Sequence, residues 1–223
     1  MPAFEVGLVL RSLVLIVLFA IARDAPANIV RTPRLLVETP LVAESLNSRV
    51  ASWAEALGPI EIASVATHAT VWIRLYSSDG TIDERARGDF ERAASVDADP
   101  HPLTLRLEQL VMKAAYHFKQ SRLVVVSGWR PNAGRHGTGD ALDFKLEGVR
   151  AAQLAAFLRQ TPRAGVGIYT HPRTQFVHLD VREPSYHWLD ASPPGIKWRA
   201  AQLRDPSAQT RDASWTPEMD LPL

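Results

Sequence analysis

Two periodicities alternate along the chain, and together they predict most of its regular structure. In "LVAESLNSRVASWAEALG" (41–58), Leu46, Val50, Trp53 and Leu57 recur at helical spacing, and Gly58-Pro59 ends the pattern. "TVWIRLYSSDGTI" (70–82) predicts a strand that runs into a turn at Ser78-Asp79-Gly80. "PLTLRLEQLVMKAAYHF" (102–118) predicts an amphipathic helix with Pro102 near its start, and "VRAAQLAAFLRQ" (149–160) predicts another. Between them, the β-branched run in "RLVVVSGWR" (122–130) predicts a buried strand. "GVGIYTHPRTQFVHLDVR" (165–182) reads as a hairpin turning near Pro172. From Pro184 the residues become rich in Pro, Trp and Asp and the periodicity fades. Residues 191–223 are therefore expected to form an irregular tail that lies on the domain or trails from it. Hairpins mixed with non-alternating helices predict an α+β fold, with a central, mostly antiparallel sheet flanked by helices.

The N-terminus follows a different pattern. Residues 6–22, "VGLVLRSLVLIVLFAIA", are nearly all apolar, and Arg11 precedes an eleven-residue run from Ser12 to Ala22. A run of that length fits the core of an export signal and falls short of the roughly 20 residues that span a bilayer. Ala20-Ile21-Ala22 and Ala25-Pro26-Ala27 both offer small-x-small cleavage sites. Residues 1–27 are thus expected to be a signal peptide or, with Val6 to Leu10 added to the span, an inner-membrane anchor. Either role sends the remainder to the periplasm or cell envelope. Residues 28–65 read as a Pro-containing linker and a helix ahead of a domain over 66–190.

Composition narrows the chemistry. The 223 residues carry 25 basic and 24 acidic side chains, a net charge of +1, without the basic excess expected of a nucleic-acid binder. Cysteine is absent, which removes disulfides, thiolate metal sites, cysteine nucleophiles and a lipoprotein anchor. Any transition metal held by the protein must rest on His and carboxylates.

"SGWRPNAGRHGTGDALDF" (127–144) places such residues together. Along "ALDFKL", Leu142, Phe144 and Leu146 share one strand face, so Asp143 stands on the other. Along "FVHLDVR", Val177, Leu179 and Val181 share a face, leaving His178 and Asp180 opposite. His136 lies in a loop with Gly134, Gly137 and Gly139, which can fold it back over Asp143. Two imidazoles and one carboxylate with an open fourth position would make a catalytic Zn²⁺ site, and the chemistry would be metal-activated water attacking a carbonyl. From spacing alone, unrelated surface residues are the alternative.

The run His136-x-x-Gly139-x-Ala141-x-Asp143 matches the H-x-x-G-x-A-x-D signature of zinc peptidases that group D-Ala-D-Ala peptidases with lysostaphin and hedgehog domains. "GVGIYTHPRTQFVHLDV" followed by "YHW", with "LYSSDGTI" and "SGWRP" upstream, resembles the murein endopeptidase K-like family over roughly residues 66–190. The resemblance implies a hedgehog/D-Ala-D-Ala-peptidase type of fold and zinc on His136, Asp143 and His178. It also implies that Ser127 and Arg130 lie near the substrate, which would be the peptide stems of peptidoglycan. A murein endopeptidase is the expected activity; a D-alanyl-D-alanine carboxypeptidase and a non-hydrolytic zinc-bearing module are the alternatives.

Two departures bear on mechanism. Where the wider superfamily has an acid or His before the last ligand, this chain has Gln175 and Phe176, neither of which can act as a base. Asp180 is the candidate general base, or equally a carboxylate that orients an imidazole. The loop between "SGWRP" and His136 is only "NAGR", shorter than the family's, so its substrate contacts are expected to differ. Asp140 rivals Asp143 as ligand but points to the opposite strand face. Trp129, Tyr169 and Trp188 could line a glycan groove or simply be buried. His68, His101 and His117 show no partner spacing. His171 and His187 are either bases or surface imidazoles.

Overall fold

The computed structural model describes residues 58–97, 99–196 and 201–222, together with Arg49, Ser52, Glu55 and Ala56. All belong to one of two compact units, Glu38–Leu223; the other, Met1–Val37, lies outside the described residues and holds the expected export signal. No described helix is long and apolar enough to cross a membrane. Of the helix expected over 41–58, Arg49, Ser52, Glu55 and Ala56 are helical and the remainder, up to Leu57, lies outside the described residues.

Strand alternation sorts one sheet into two unlike faces. Its described strands are β1 (Ile60–Ser64), β2 (Thr70–Ile73), β3 (Arg122–Ser127), β4 (Ala141–Leu146), β5 (Ala164–Tyr169), β6 (Phe176–Val181), β7 (Tyr186–Asp190) and β8 (Ala201–Gln202). They lie in the order β2-β1-β3-β4-β6-β5-β7-β8. Only β1–β3 and β5–β7 pair in parallel, so the sheet is mixed and mostly antiparallel. The α+β expectation is met.

One face is apolar throughout: Ile60 and Ile62, Leu123 and Val125, Leu142, Phe144 and Leu146, Val177 and Leu179, Val166 and Ile168 are all buried there. Against these residues pack α1 (Glu84–Ala94), α2 (Leu105–His117) and α3 (Ala151–Leu158), which contribute Phe90, Leu107, Leu110, Leu154 and Leu158 to the same core. Burial of each such aliphatic side chain stabilises the fold by about 1.5–3 kcal/mol. The helices of 102–118 and 149–160 thus stand where the periodicity places them. α1, β1 and β7 carry weaker patterns and emerge only in the structure. For α1, the Asp83 side chain accepts from the amides of Arg85 and Ala86, a cap that secures a helix of low mean hydropathy.

The tail is not irregular. Residues 201–222 add β8 to the edge of β7, then form α4 (Ala208–Ala213) and a 3₁₀ turn at Pro217–Asp220. Buried acids fasten them. Asp212 accepts from the amide of Arg163 at 2.6 Å and from the amide and hydroxyl of Ser185 at 2.7 and 2.6 Å. Asp220 accepts from Arg106 Nε at 2.8 Å and from Trp215 Nε1 at 2.9 Å. The Trp215 ring lies against the guanidiniums of Arg106 and Arg163, at 5.0 and 4.7 Å. These anchors are long-range polar contacts, invisible to a periodicity search.

His187 belongs to this seam. It sits on the core face of β7, with Nδ1 3.3 Å from Arg159 Nε and 3.7 Å from Asp205, while Nε2 is buried without a hydrogen-bond partner among the described residues. Burial, helped by the charges of Arg159 and Arg211 and opposed by Asp205 and Asp212, pushes its imidazole down to about 4. The unfolded chain takes up that proton near pH 6.5, so the folded state binds fewer protons in between. The contribution is complete above about pH 6.5 and is lost as pH falls toward 4, on the order of 2–3 kcal/mol. Urea midpoints measured from pH 7 to pH 4 are expected to fall less in His187→Gln than in wild type. Parallel curves would show that this imidazole is not responsible.

Candidate metal centre

The face of the sheet away from the helices carries the chemistry. Asp143 on β4 stands directly opposite His178 on β6, and His178 in turn opposes Gly167 on β5. Ser127 on β3 neighbours Asp143 from the other side, after a bulge between Val125 and Ser127. The bulge moves the end of β3 one step out of alternation, as bulges beside functional sites commonly do.

His136 reaches the same place from a loop. A 3₁₀ turn at Gly134–His136 carries its ring inward, and Nδ1 lies 2.8 Å from the carbonyl oxygen of Gly128, to which it donates. That bond fixes the tautomer and leaves the Nε2 lone pair facing Asp143. Burial holds the imidazole below its usual range against the attraction of Asp143, so it is neutral, the form a metal requires. The loop closes through Gly139: at φ +76° and with the Pro102 carbonyl 2.1 Å from where a Cβ would be, only glycine fits. Gly134 also has positive φ, whereas Gly137 is right-handed.

Asp140 faces away and is used up. Its oxygens accept from Thr104 Oγ1 at 2.5 Å and Thr138 Oγ1 at 2.7 Å, tying the loop to the start of α2. Trp129 is likewise spent on the loop, stacked on His101 with ring centroids 3.4 Å apart and donating to the Gly137 carbonyl.

His136, Asp143 and His178 are all buried, and one ligand atom from each lies within 4.8 Å of the others. Asp143 Oδ2 is 3.5 Å from His136 Nε2, and Asp143 Oδ1 is 2.8 Å from His178 Nδ1. Donors bound tetrahedrally at about 2.0–2.1 Å from zinc sit roughly 3.3 Å apart; the 3.5 Å spacing is close to that, and the 2.8 Å hydrogen bond would have to open by ~0.5 Å around an ion. The set is two imidazoles and a carboxylate, which could hold a divalent metal and leave a position open.

The second nitrogen of His178 is also engaged. Nε2 lies 2.9 Å from Asp180 Oδ2. Burial works against a charged ring, but the bonds and charges of Asp143 and Asp180 outweigh it and lift His178 to about 9. Asp180 has no exposed surface, and Arg182 contacts both its oxygens, Nε to Oδ1 and Nη2 to Oδ2, each at 2.5 Å. Burial would favour the acid, yet the bonds from His178 and Arg182 keep its carboxyl below the usual range. Of the two roles open to Asp180, general base or orienting carboxylate, these surroundings match the second. Both of its oxygens already accept hydrogen bonds.

Residues 86–180 match the family of M15 peptidases. The matched stretch runs from α1 to the end of β6 and takes in His136, Asp143, His178 and Asp180. It supports a place among the M15 zinc peptidases and agrees with both the α+β sheet and the metal-binding cluster. No curated protein and no solved structure matches the chain.

Around the His136–Asp143–His178 cluster lie groups able to meet a substrate. Arg130 is exposed, has no ion-pair partner among the described residues, and its charge acts on both His136 and Tyr169. Tyr169 ends β5 on the metal face, stacked on Phe176 with centroids 4.2 Å apart. Burial and the charge of Asp143 raise its pKa, so it remains a phenol able to donate. Trp188 lies 5.0 Å from the His178 ring and covers Gly167, where a Cβ would fall 2.3 Å from the indole. His171 stays in the β5–β6 turn, its Nδ1 accepting from the Arg173 amide, and His187 is on the opposite face; neither joins the cluster. Sequence spacing did not single out Arg182, and it offered Tyr169 only as an aromatic that could line a groove or be buried. The paired glycines of "GVG", small residues inside a strand pattern, were the available sign that side chains crowd over β5.

Proposed function

We propose that this chain is an exported zinc metallopeptidase that hydrolyses peptide cross-links of bacterial peptidoglycan. The observation that carries the reading is the convergence of His136, Asp143 and His178 on one point, with the charge of Arg130, which has no ion-pair partner among the described residues, acting on His136. A bound zinc ion supplies Lewis acidity to the scissile carbonyl and to the attacking water. The protein does the rest. Gly128 and Asp180 hold the two imidazoles by their outer nitrogens, as metal-bound histidines require. Arg130 grips a stem-peptide carbonyl or carboxylate in the fork geometry suited to it, with Ser127 beside Asp143 completing the near wall. Tyr169 donates toward the oxygen on which charge develops. The apolar segment 6–22, read as an export signal or an inner-membrane attachment, agrees with a substrate outside the cytoplasm.

A second reading has one observation in its favour. Gln175 and Phe176 provide no acid before His178, and Asp180 has both oxygens engaged. A zinc-bearing module that grips peptidoglycan without cutting it would look the same at those positions.

Incubating the protein with purified sacculi separates the two. Hydrolysis predicts release of un-cross-linked muropeptides, stopped by a chelator and restored by added zinc. Retention on sacculi without release identifies the binding module. Mass spectrometry of the products distinguishes an endopeptidase from a carboxypeptidase, which would release free D-alanine instead.

A further inference from the structure

We propose that Arg182 is a positioning residue for the metal centre, acting through Asp180 on the ring of His178; the inference rests on the metallopeptidase reading. Metal ligation through His178 Nδ1 requires the proton to be on Nε2 and the ring to be held against rotation. Asp180 Oδ2, 2.9 Å from Nε2, takes that proton's hydrogen bond. A lone carboxylate with no exposed surface could not keep this orientation by itself, since nothing would oppose its rotation or neutralisation. Arg182 supplies the opposition, with a two-pronged contact at 2.5 Å on each oxygen.

The guanidinium is itself held. Its carbon lies 5.6 Å from the Tyr186 ring centre and 5.7 Å from that of Trp188, two aromatics that project from β7 on the metal face. Beneath the pair, β5 contributes no side chain. A Cβ on Gly165 would stand 2.3 Å from Asp180 Oδ2 and 2.4 Å from Arg182 Nε, so the strand makes way for the ion pair. Arg135 reaches Asp180 Oδ1 only at 3.5 Å and spends its Nη1 on the Val181 carbonyl, which makes Arg182 the principal partner. The chain of contacts therefore runs from Tyr186 and Trp188 through Arg182 and Asp180 to His178.

The test is zinc affinity, measured on the metal-free full-length protein by competition with a chromophoric chelator. Arg182→Ala is expected to weaken zinc binding about 10–100-fold, the range usual for losing a partner of a metal-bound histidine. Arg182→Lys keeps the charge but not the fork and is expected to recover part of that loss. Circular dichroism and thermal unfolding of the metal-free variants report folding separately. Should Arg182→Ala fail to fold, the lysine variant alone decides, through a measurable loss of affinity at an unchanged melting temperature. Wild-type affinity in whichever variant folds overturns the proposal and leaves Arg182 a stabilising residue only. Failure of the wild-type protein to bind zinc at all overturns the metallopeptidase reading and this inference with it, an outcome distinct from equal binding by wild type and variant.

Discussion

His178→Ala is expected to lose its zinc and its hydrolytic activity together while remaining folded. Structural zinc binding of about 10–16 kcal/mol shared among four ligands amounts to roughly 2.5–4 kcal/mol each, or about 10²–10³ in affinity. His178 contributes more than its own bond, because its ring stands between Asp143 at 2.8 Å and Asp180 at 2.9 Å. Without it two carboxylates face one another across the site, and among the described residues only Arg182 and Arg135 compensate Asp180. Metal analysis after exhaustive dialysis should give about one equivalent for wild type and far less for the variant. Muropeptide release from sacculi should fall to the chelated background. Full zinc occupancy in His178→Ala would mean that a different set of side chains holds the ion.

Asp212→Ala is expected to be the most destabilising single change outside the apolar core. Its buried carboxylate accepts three hydrogen bonds that join α4 to the segments before β5 and β7. Truncation strands the amides of Arg163 and Ser185, each costing about 1–3 kcal/mol if left unpaired. The total is about 3 kcal/mol, and for a domain of this size that lowers the melting temperature by roughly 6–12 °C. Asp212→Asn retains an acceptor oxygen and should fall between the two. Zinc stoichiometry should not change in either, because no part of this seam touches His136, Asp143 or His178. A melting temperature within a degree of wild type would show that residues 201–222 contribute little to the stability of the sheet.

The metal cluster was legible in the sequence for a simple reason. Strand alternation is a local rule, so "ALDFKL" and "FVHLDV" each declare which residues leave the core, and glycines mark the loop that returns His136. What alternation cannot declare is which strands lie side by side. That Asp143 meets His178 depends on β4 pairing with β6 in one register, and a one-residue slip would send one of them to the core face. The role of Asp180 was undecidable for the same reason: a carboxylate two residues from a ligand can be a base or a brace. The contacts of Arg182, whose side chain lies over Gly165 of the neighbouring strand, show both oxygens of Asp180 engaged.

By itself, the sequence determined the α+β class, the two central helices, the strands that carry the ligand-type residues and the absence of thiolate chemistry. These follow from periodicity and composition, which act over a few residues and survive without knowledge of neighbours. Only the tertiary structure decided the convergence of the three ligand-type side chains, the contacts that join Arg182 to Asp180 and Asp180 to His178, and the docking of residues 201–222 by Asp212 and Asp220. Each of these joins side chains whose partnership is created by strand order and burial, and buried polar groups choose partners by position in space rather than by distance along the chain.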